Sequence, residues 1–245
     1  MKTNLNSNKI IVGFNVGHNG SCTIINGNDI ISIPEERLNR KKYSEGYMYS
    51  FVYCLKELGI KAEDIDLFVS SNYGEYLPNE FMGDFEVLGL DSKKFISVDH
   101  HLSHAYSTYF MSPFEEAMII VADGQGNLNT TESYYIAKNK TITKIGGNNS
   151  QRSKYKGIGR TYETFTNYCG WSAQEAGKTM GLASYGKEKY PDLELYEIND
   201  EFEISSKCEG KYFHASYNFC KKNNIDFDKI GLGFDNKDAA YFVQD

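Results

Sequence analysis

Apolar residues recur along the chain with two distinct periods. Ile10-Ile11-Val12-Gly13-Phe14-Asn15 is a short apolar run; a turn through Gly17-His18-Asn19-Gly20 follows, then Ser21-Cys22-Thr23-Ile24-Ile25, a second turn at Asn26-Gly27-Asn28, and Ile30-Ile31-Ser32-Ile33. Short β-rich runs separated by Gly and Asn predict a three-stranded meander. Pro34-Glu35-Glu36-Arg37 ends it and leads into a basic polar loop with Arg40, Lys41 and Lys42. The period then changes: Met48, Phe51, Val52, Leu55 and Leu58 are spaced as one face of a helix, with Gly59 at its C-cap. Strands are predicted over Ile65–Val69 and Lys94–Val98, separated by a loop across Asn72–Leu90 with one short helix. A second helix starts at His100 and stops at Ser112-Pro113.

From Ala117 the pattern restarts. Met118–Asp123, Glu132–Ala137 and Thr141–Ile145 predict a second meander, and Ile158–Cys169 a helix. In both meanders the first turn is rich in Gly, Asn and hydroxyl residues. Gly17 and Asn19 lie in one and Gly124 and Gly126 in the other, positions where backbone amides can approach phosphate oxygens. The repetition predicts an α/β fold of two duplicated lobes around a nucleotide cleft, with residues 1–113 as the first lobe and 114–245 as the second. Lys178-Thr179-Met180-Gly181 lies in a glycine-rich stretch that lacks the GxxxxGK[ST] spacing of a Walker A loop yet remains a candidate nucleotide contact through Lys178 and Gly181. From about residue 187 the chain turns charged and irregular, with a short strand near Phe202–Ile204, so the second lobe is read as incomplete: degenerate, or the chain a fragment.

Three of the five histidines fall in Asp99-His100-His101-Leu102-Ser103-His104. On a helix His100 and His104 stand one turn apart on one face and His101 points elsewhere. Asp123, at the end of an apolar strand, completes a His-His-Asp set suited to a divalent transition metal such as iron or zinc rather than calcium. The net charge of −7, without a basic stripe, argues against nucleic acid as a partner. No run approaches membrane-spanning length, and five scattered cysteines cannot form a complete disulfide framework, which points to a reducing cytoplasm. Trp171, the only tryptophan, is read as packing.

Several blocks in order carry a resemblance: Gly13–Ser21, Pro34-Glu35-Glu36-Arg37-Leu38-Asn39-Arg40-Lys41-Lys42, His100-His101-Leu102-Ser103-His104-Ala105, Ser112–Ala117, Asp123-Gly124-Gln125-Gly126 and Lys178–Gly186. They resemble the amino-terminal part of carbamoyltransferases of the nodulation and antibiotic-tailoring type, whose first domain is similar to the tRNA threonylcarbamoyl-transferase proteins. The resemblance implies duplicated ribonuclease-H-like lobes of the actin, sugar-kinase and Hsp70 kind, and a metal, usually iron, on His100, His104 and Asp123. It also implies transfer of a carbamoyl group from ATP-derived carbamoyl-adenylate to a small-molecule hydroxyl.

In that family a carboxy-terminal domain makes the adenylate and a later aspartate completes the metal set. Neither is in this sequence, so that domain is expected in a missing part or a separate chain. With the resemblance, His18 becomes the candidate base, and Glu36, Arg37 and Lys42, with Glu35 beside them, become candidates for holding acceptor or phosphate. Two other readings are a catalytically inactive nucleotide- and metal-binding module acting through a partner, and threonylcarbamoyl transfer to tRNA, which the acidic balance disfavours.

Overall fold

A computed structural model describes residues 9–72, 79–149, 157–200, 203–208, 213–225 and 233–244. The fold is mixed α/β, and the chain divides into two compact units, Met1–Ser103 and His104–Asp245.

The first unit is organised on a five-stranded sheet. Strands β1 (Ile10–Asn15), β2 (Ser21–Asn26) and β3 (Asp29–Pro34) form the antiparallel meander that the sequence predicts. Helices α1 (Glu35–Asn39) and α2 (Met48–Leu58) then carry the chain to β4 (Leu67–Asn72), and α3 (Asn79–Val87) carries it on to β5 (Phe95–Asp99). Both later strands run parallel to β1, in the order β3-β2-β1-β4-β5. Parallel neighbours require such crossovers, and the helices supply them.

In register, Val12 and Phe14 of β1 lie beside Ile24 and Cys22 of β2, so alternate residues share one buried face. Phe51, Cys54 and Phe68 pack on it, with the Phe14 and Tyr47 rings 4.4 Å apart and Phe68 and Phe85 at 4.7 Å.

Three details differ from the sequence expectation. The polar loop after β3 contains α1, and Glu35, expected at a cleft edge, is buried: its carboxylate accepts from the Ser50 amide at 2.7 Å and the Ser50 hydroxyl at 2.8 Å. A carboxylate in the first turn of α2 satisfies an N–H that the helix itself cannot. That bond turns the helix, so its buried stripe is Tyr47, Ser50, Phe51 and Cys54, while Met48 and Val52, expected inside, face out.

The turn between β1 and β2 packs on the segment that leads into α2. Gly20 donates to the Ser44 carbonyl at 2.7 Å, and a Cβ on Gly20 would stand 1.9 Å from the Gly46 carbonyl oxygen. Gly20→Ala is therefore expected to destabilise the chain by about 1–3 kcal/mol in urea unfolding, the usual cost of overpacking. A curve superposing on the parent would show instead that the turn moves aside freely.

The second unit begins within helix α4 (His100–Met111) and continues into β6 (Glu116–Ala122), β7 (Thr130–Lys138) and β8 (Thr141–Asn149), an antiparallel sheet in the order β6-β7-β8. Asn139 and Lys140 both take left-handed φ, 51° and 62°, the two-residue hairpin whose twist matches the strands it joins. Helices α5 (Ile158–Tyr168) and α6 (Ala176–Ala183) follow. The glycine-rich stretch with the candidate nucleotide contacts Lys178 and Gly181 is thus helical rather than a loop.

Beyond residue 187, where no alternation is legible, lie two short paired strands, β9 (Tyr196–Ile198) and β10 (Ile204–Ser206), and two helices, α7 (Phe213–Asn223) and α8 (Lys237–Gln244). Phe202, expected in a strand, lies outside the described residues. Phe165 and Tyr168 of α5 pack with Phe219 and Cys220 of α7 and Ala239 and Val243 of α8. Trp171 packs at the edge of a smaller cluster of Cys169, Leu182, Ala183 and Ala240.

All five cysteines are buried thiols in no disulfide. Among the described residues no helix is long and apolar enough to cross a membrane.

Candidate metal centre

Helix α4 starts where it does because Asp99 caps it: the Asp99 carboxylate accepts from the Leu102 amide at 2.9 Å, an N-cap bond to the third helical residue. Ser112-Pro113 ends it, since proline cannot continue a helix. His101, Ala105 and Tyr109 form the buried stripe, so His100 and His104 share the neighbouring strip one turn apart, as the spacing predicts.

Asp123 stands one residue beyond β6. The ladder to β7 continues past it, through the Asp123 amide to the Thr131 carbonyl at 2.9 Å and the Gly126 amide to the Thr130 carbonyl at 2.6 Å, so residues 124–129 form a closed loop. One Asp123 carboxylate oxygen accepts from the Gly124 amide at 2.6 Å, and the other lies 3.4 Å from His104 Nε2. The hydrogen bond to Asp123 raises the His104 pKa against the opposing effect of burial.

One ligand atom from each of His100, His104 and Asp123 lies within 4.8 Å of the other two, the one such grouping among the described residues. Imidazole and carboxylate ligands sit about 2.0–2.2 Å from a zinc-sized ion, so these donors fit one after small side-chain rotations. Two imidazoles and a carboxylate suit a transition metal, and three protein ligands leave a position open to water or substrate.

The remaining candidates fall into four groups. Gly124 and Gly126 share the Asp123 loop. Gly17, His18 and Asn19 are exposed in the β1–β2 turn, which Asn15 laces by donating to the His18 and Asn19 carbonyls at 3.3 and 3.1 Å.

Around α1, the Glu36 carboxylate accepts from the Tyr43 amide at 3.4 Å, Lys42 Nζ sits 4.6 Å above the Tyr43 ring, and Arg37 is exposed. On α6, Lys178 pairs with Glu175 at 2.5 Å, and a Cβ on Gly181 would meet open space. The structure therefore unites the metal triad with the Gly124–Gly126 loop, and keeps the α1 and α6 candidates on their own elements.

Two arrangements escape the sequence. Glu132, fully buried on β7, accepts from the Thr131 hydroxyl and Asn148 Nδ2, both at 2.6 Å, and from the Ile158 amide of α5 at 2.7 Å. On α5, Arg160 reaches back to the Asp123 loop through Gln125. A charge interrupting a strand pattern was a signal for Glu132; nothing local marks Arg160.

Residues 83–238, more than half of the chain, match the family described as Carbamoyltransferase N-terminus. The chain is 27% identical over 205 residues to the nodulation protein NolNO of Sinorhizobium fredii, covering 74% of this chain and 29% of that protein. It is 30% identical over 233 residues to the uncharacterized protein MJ1051 of Methanocaldococcus jannaschii, covering 93% and 43%. The chain spans less than half the length of the curated relatives it matches. A crystal structure of full-length HypF, in its phosphate- and nucleotide-bound form, superposes with a TM-score of 0.50 at 12% identity, over 95% of this chain and 36% of HypF; the likeness is one of fold.

Proposed function

This chain belongs to the carbamoyltransferase N-terminus family, and from that premise we propose that it is the amino-terminal part of an O-carbamoyltransferase, moving a carbamoyl group from carbamoyl-adenylate to the hydroxyl of a small molecule. The observation that supports this most is the convergence of His100, His104 and Asp123. In this reading both units are ribonuclease-H-like lobes, each containing a three-stranded meander. The adenylate is made by a domain outside these residues, and five buried thiols suit a reducing cytoplasm.

In the transfer, the acceptor oxygen bonds to the carbamoyl carbon as the bond from that carbon to the adenylate phosphate oxygen breaks, and AMP leaves. A divalent transition metal on the triad would supply positive charge to the carbamoyl or phosphate oxygen. His18 is the residue we assign to take the acceptor's proton. We assign the phosphate to the side of the loop that carries Gly124 and Gly126, whose own amides donate to the Asp123 carboxylate and the Thr130 carbonyl, and Arg37 and Lys42 offer a fork and a point charge to an anion. Lys178 and Gly181 would present a helix face to the nucleotide.

The test requires no knowledge of the acceptor. The metal-loaded chain is supplied with pre-formed carbamoyl-adenylate, and AMP release to water is followed. Asp123→Asn should slow release by about 100-fold, the scale of losing one charge-stabilising group. Parental AMP release by Asp123→Asn would refute the metal-assisted reading.

A further inference from the structure

We propose that Arg160 and Gln125 are positioning residues of the metal centre: through a relay of side chains from α5 they hold the 123–129 loop in the conformation that turns the Asp123 carboxylate toward His104. The proposal rests on the reading of His100, His104 and Asp123 as metal ligands.

The loop carries backbone strain. Leu128 and Asn129 both take left-handed φ, 55° and 60°, a region that asparagine tolerates but that costs leucine about 1–2 kcal/mol. Helix α5 is in place to offset that strain. A Cβ on Gly159 would stand 2.6 Å from the carbonyl carbon and oxygen of Asp123 and 2.7 Å from the Gly124 amide, and a Cβ on Gly124 would stand 2.8 Å from Glu163 Oε1. Two glycines thus bring the first turns of α5 against the backbone of the ligand residue itself.

Across that contact Arg160 uses both arms of its guanidinium. One nitrogen donates to Glu163 Oε2 at 2.7 Å and the other to Gln125 Oε1, while Gln125 Nε2 donates to Asn129 Oδ1 at 2.6 Å. An ion pair three residues apart on a helix is a commonplace of helix surfaces. The link to Gln125, 35 positions away, makes this one different, because it carries the constraint off α5 to Asn129, the neighbour of the strained Leu128. Arg160 and Glu163 are both partly buried, with side chains 22% and 29% exposed, which screens the relay less than a fully exposed surface pair is screened. A lysine at 160 offers a single nitrogen where the guanidinium uses two, so it does not reproduce the planar fork that spans Glu163 and Gln125.

The experiment is a Co(II) titration of the full chain followed by visible absorption, for the parent, Gln125→Ala, Arg160→Gln and Arg160→Lys. Alongside it, amide hydrogen exchange is measured on the metal-free proteins. All three variants should bind Co(II) about 10–100-fold more weakly, with altered absorption bands, and lysine should not rescue. Gly124 and Gly126 amides should exchange about tenfold faster, with β7 and α5 protected as in the parent, as expected of local rather than global opening. Parental affinity, bands and exchange in the variants would overturn this proposal alone. A parent chain that takes up no Co(II) would overturn the metal reading and this proposal with it.

Discussion

Replacing His104 with alanine is expected to lower transition-metal affinity by at least about 100-fold, more than the loss of an outer partner costs. The effect should be large because His104 is the member of the triad tied to both others. It shares a helix strip with His100, and its Nε2 lies 3.4 Å from an Asp123 oxygen. His101→Ala provides the contrast. His101 is 1% exposed on the neighbouring stripe of α4, so its loss should weaken folding and leave metal uptake in place. Elemental analysis of both variants after loading with zinc and gel filtration reads the difference. Equal metal content in parent and His104→Ala would end the assignment of this cluster as a metal centre.

The second large effect concerns folding. Glu132→Ala should destabilise the chain by about 3 kcal/mol, because buried donors left without an acceptor cost about 1–3 kcal/mol each. Three donors converge on this carboxylate, and they come from β7, β8 and the start of α5. Asn148 extends the junction, since its side-chain amide exchanges two hydrogen bonds with the backbone of Ile204, at 2.7 and 2.8 Å, and so joins β8 to β10. Gly157 makes the approach possible: at φ 107° its missing Cβ would otherwise lie 2.5 Å from the Thr131 side chain. Glu132→Gln keeps one acceptor oxygen and should cost about half as much in urea unfolding. An alanine variant within about 0.5 kcal/mol of the parent, the range of ordinary surface substitutions, would show that the junction contributes little.

Much of this architecture is legible in the residues, and the reasons differ from place to place. The meander strands follow from alternation and turn chemistry, both local properties. So does the HxxxH strip, because Asp99 and Pro113 fix the helix at each end. The orientation of α2 was not legible: Met48 and Val52 fit an apolar stripe as well as Tyr47 and Cys54 do, and what decides between them is the bond from Ser50 to Glu35, made across fifteen positions. The helix at 176–183 was obscured by its glycines, which lower helix propensity without forbidding the helix once Leu182 and Ala183 are buried. The segments beyond 187 are too short to establish a period, and their order comes from packing on α5. The Arg160 relay is out of reach of any local pattern, since its partners are brought together by the close approach of Gly124 and Gly159.

The buried thiols carry a kinetic consequence. Burial pushes the Cys208 thiol up to about 12 and raises Cys22 and Cys54 as well, so in the closed protein these sulfurs hold their protons and hide from solvent. Alkylation must then wait for an opening of the chain around each one. Cys22 and Cys54 belong to the first unit and Cys169, Cys208 and Cys220 to the second, so the rates at which the two sets are consumed act as two separate clocks. Read residue by residue under native conditions, they would tell which unit breathes more often.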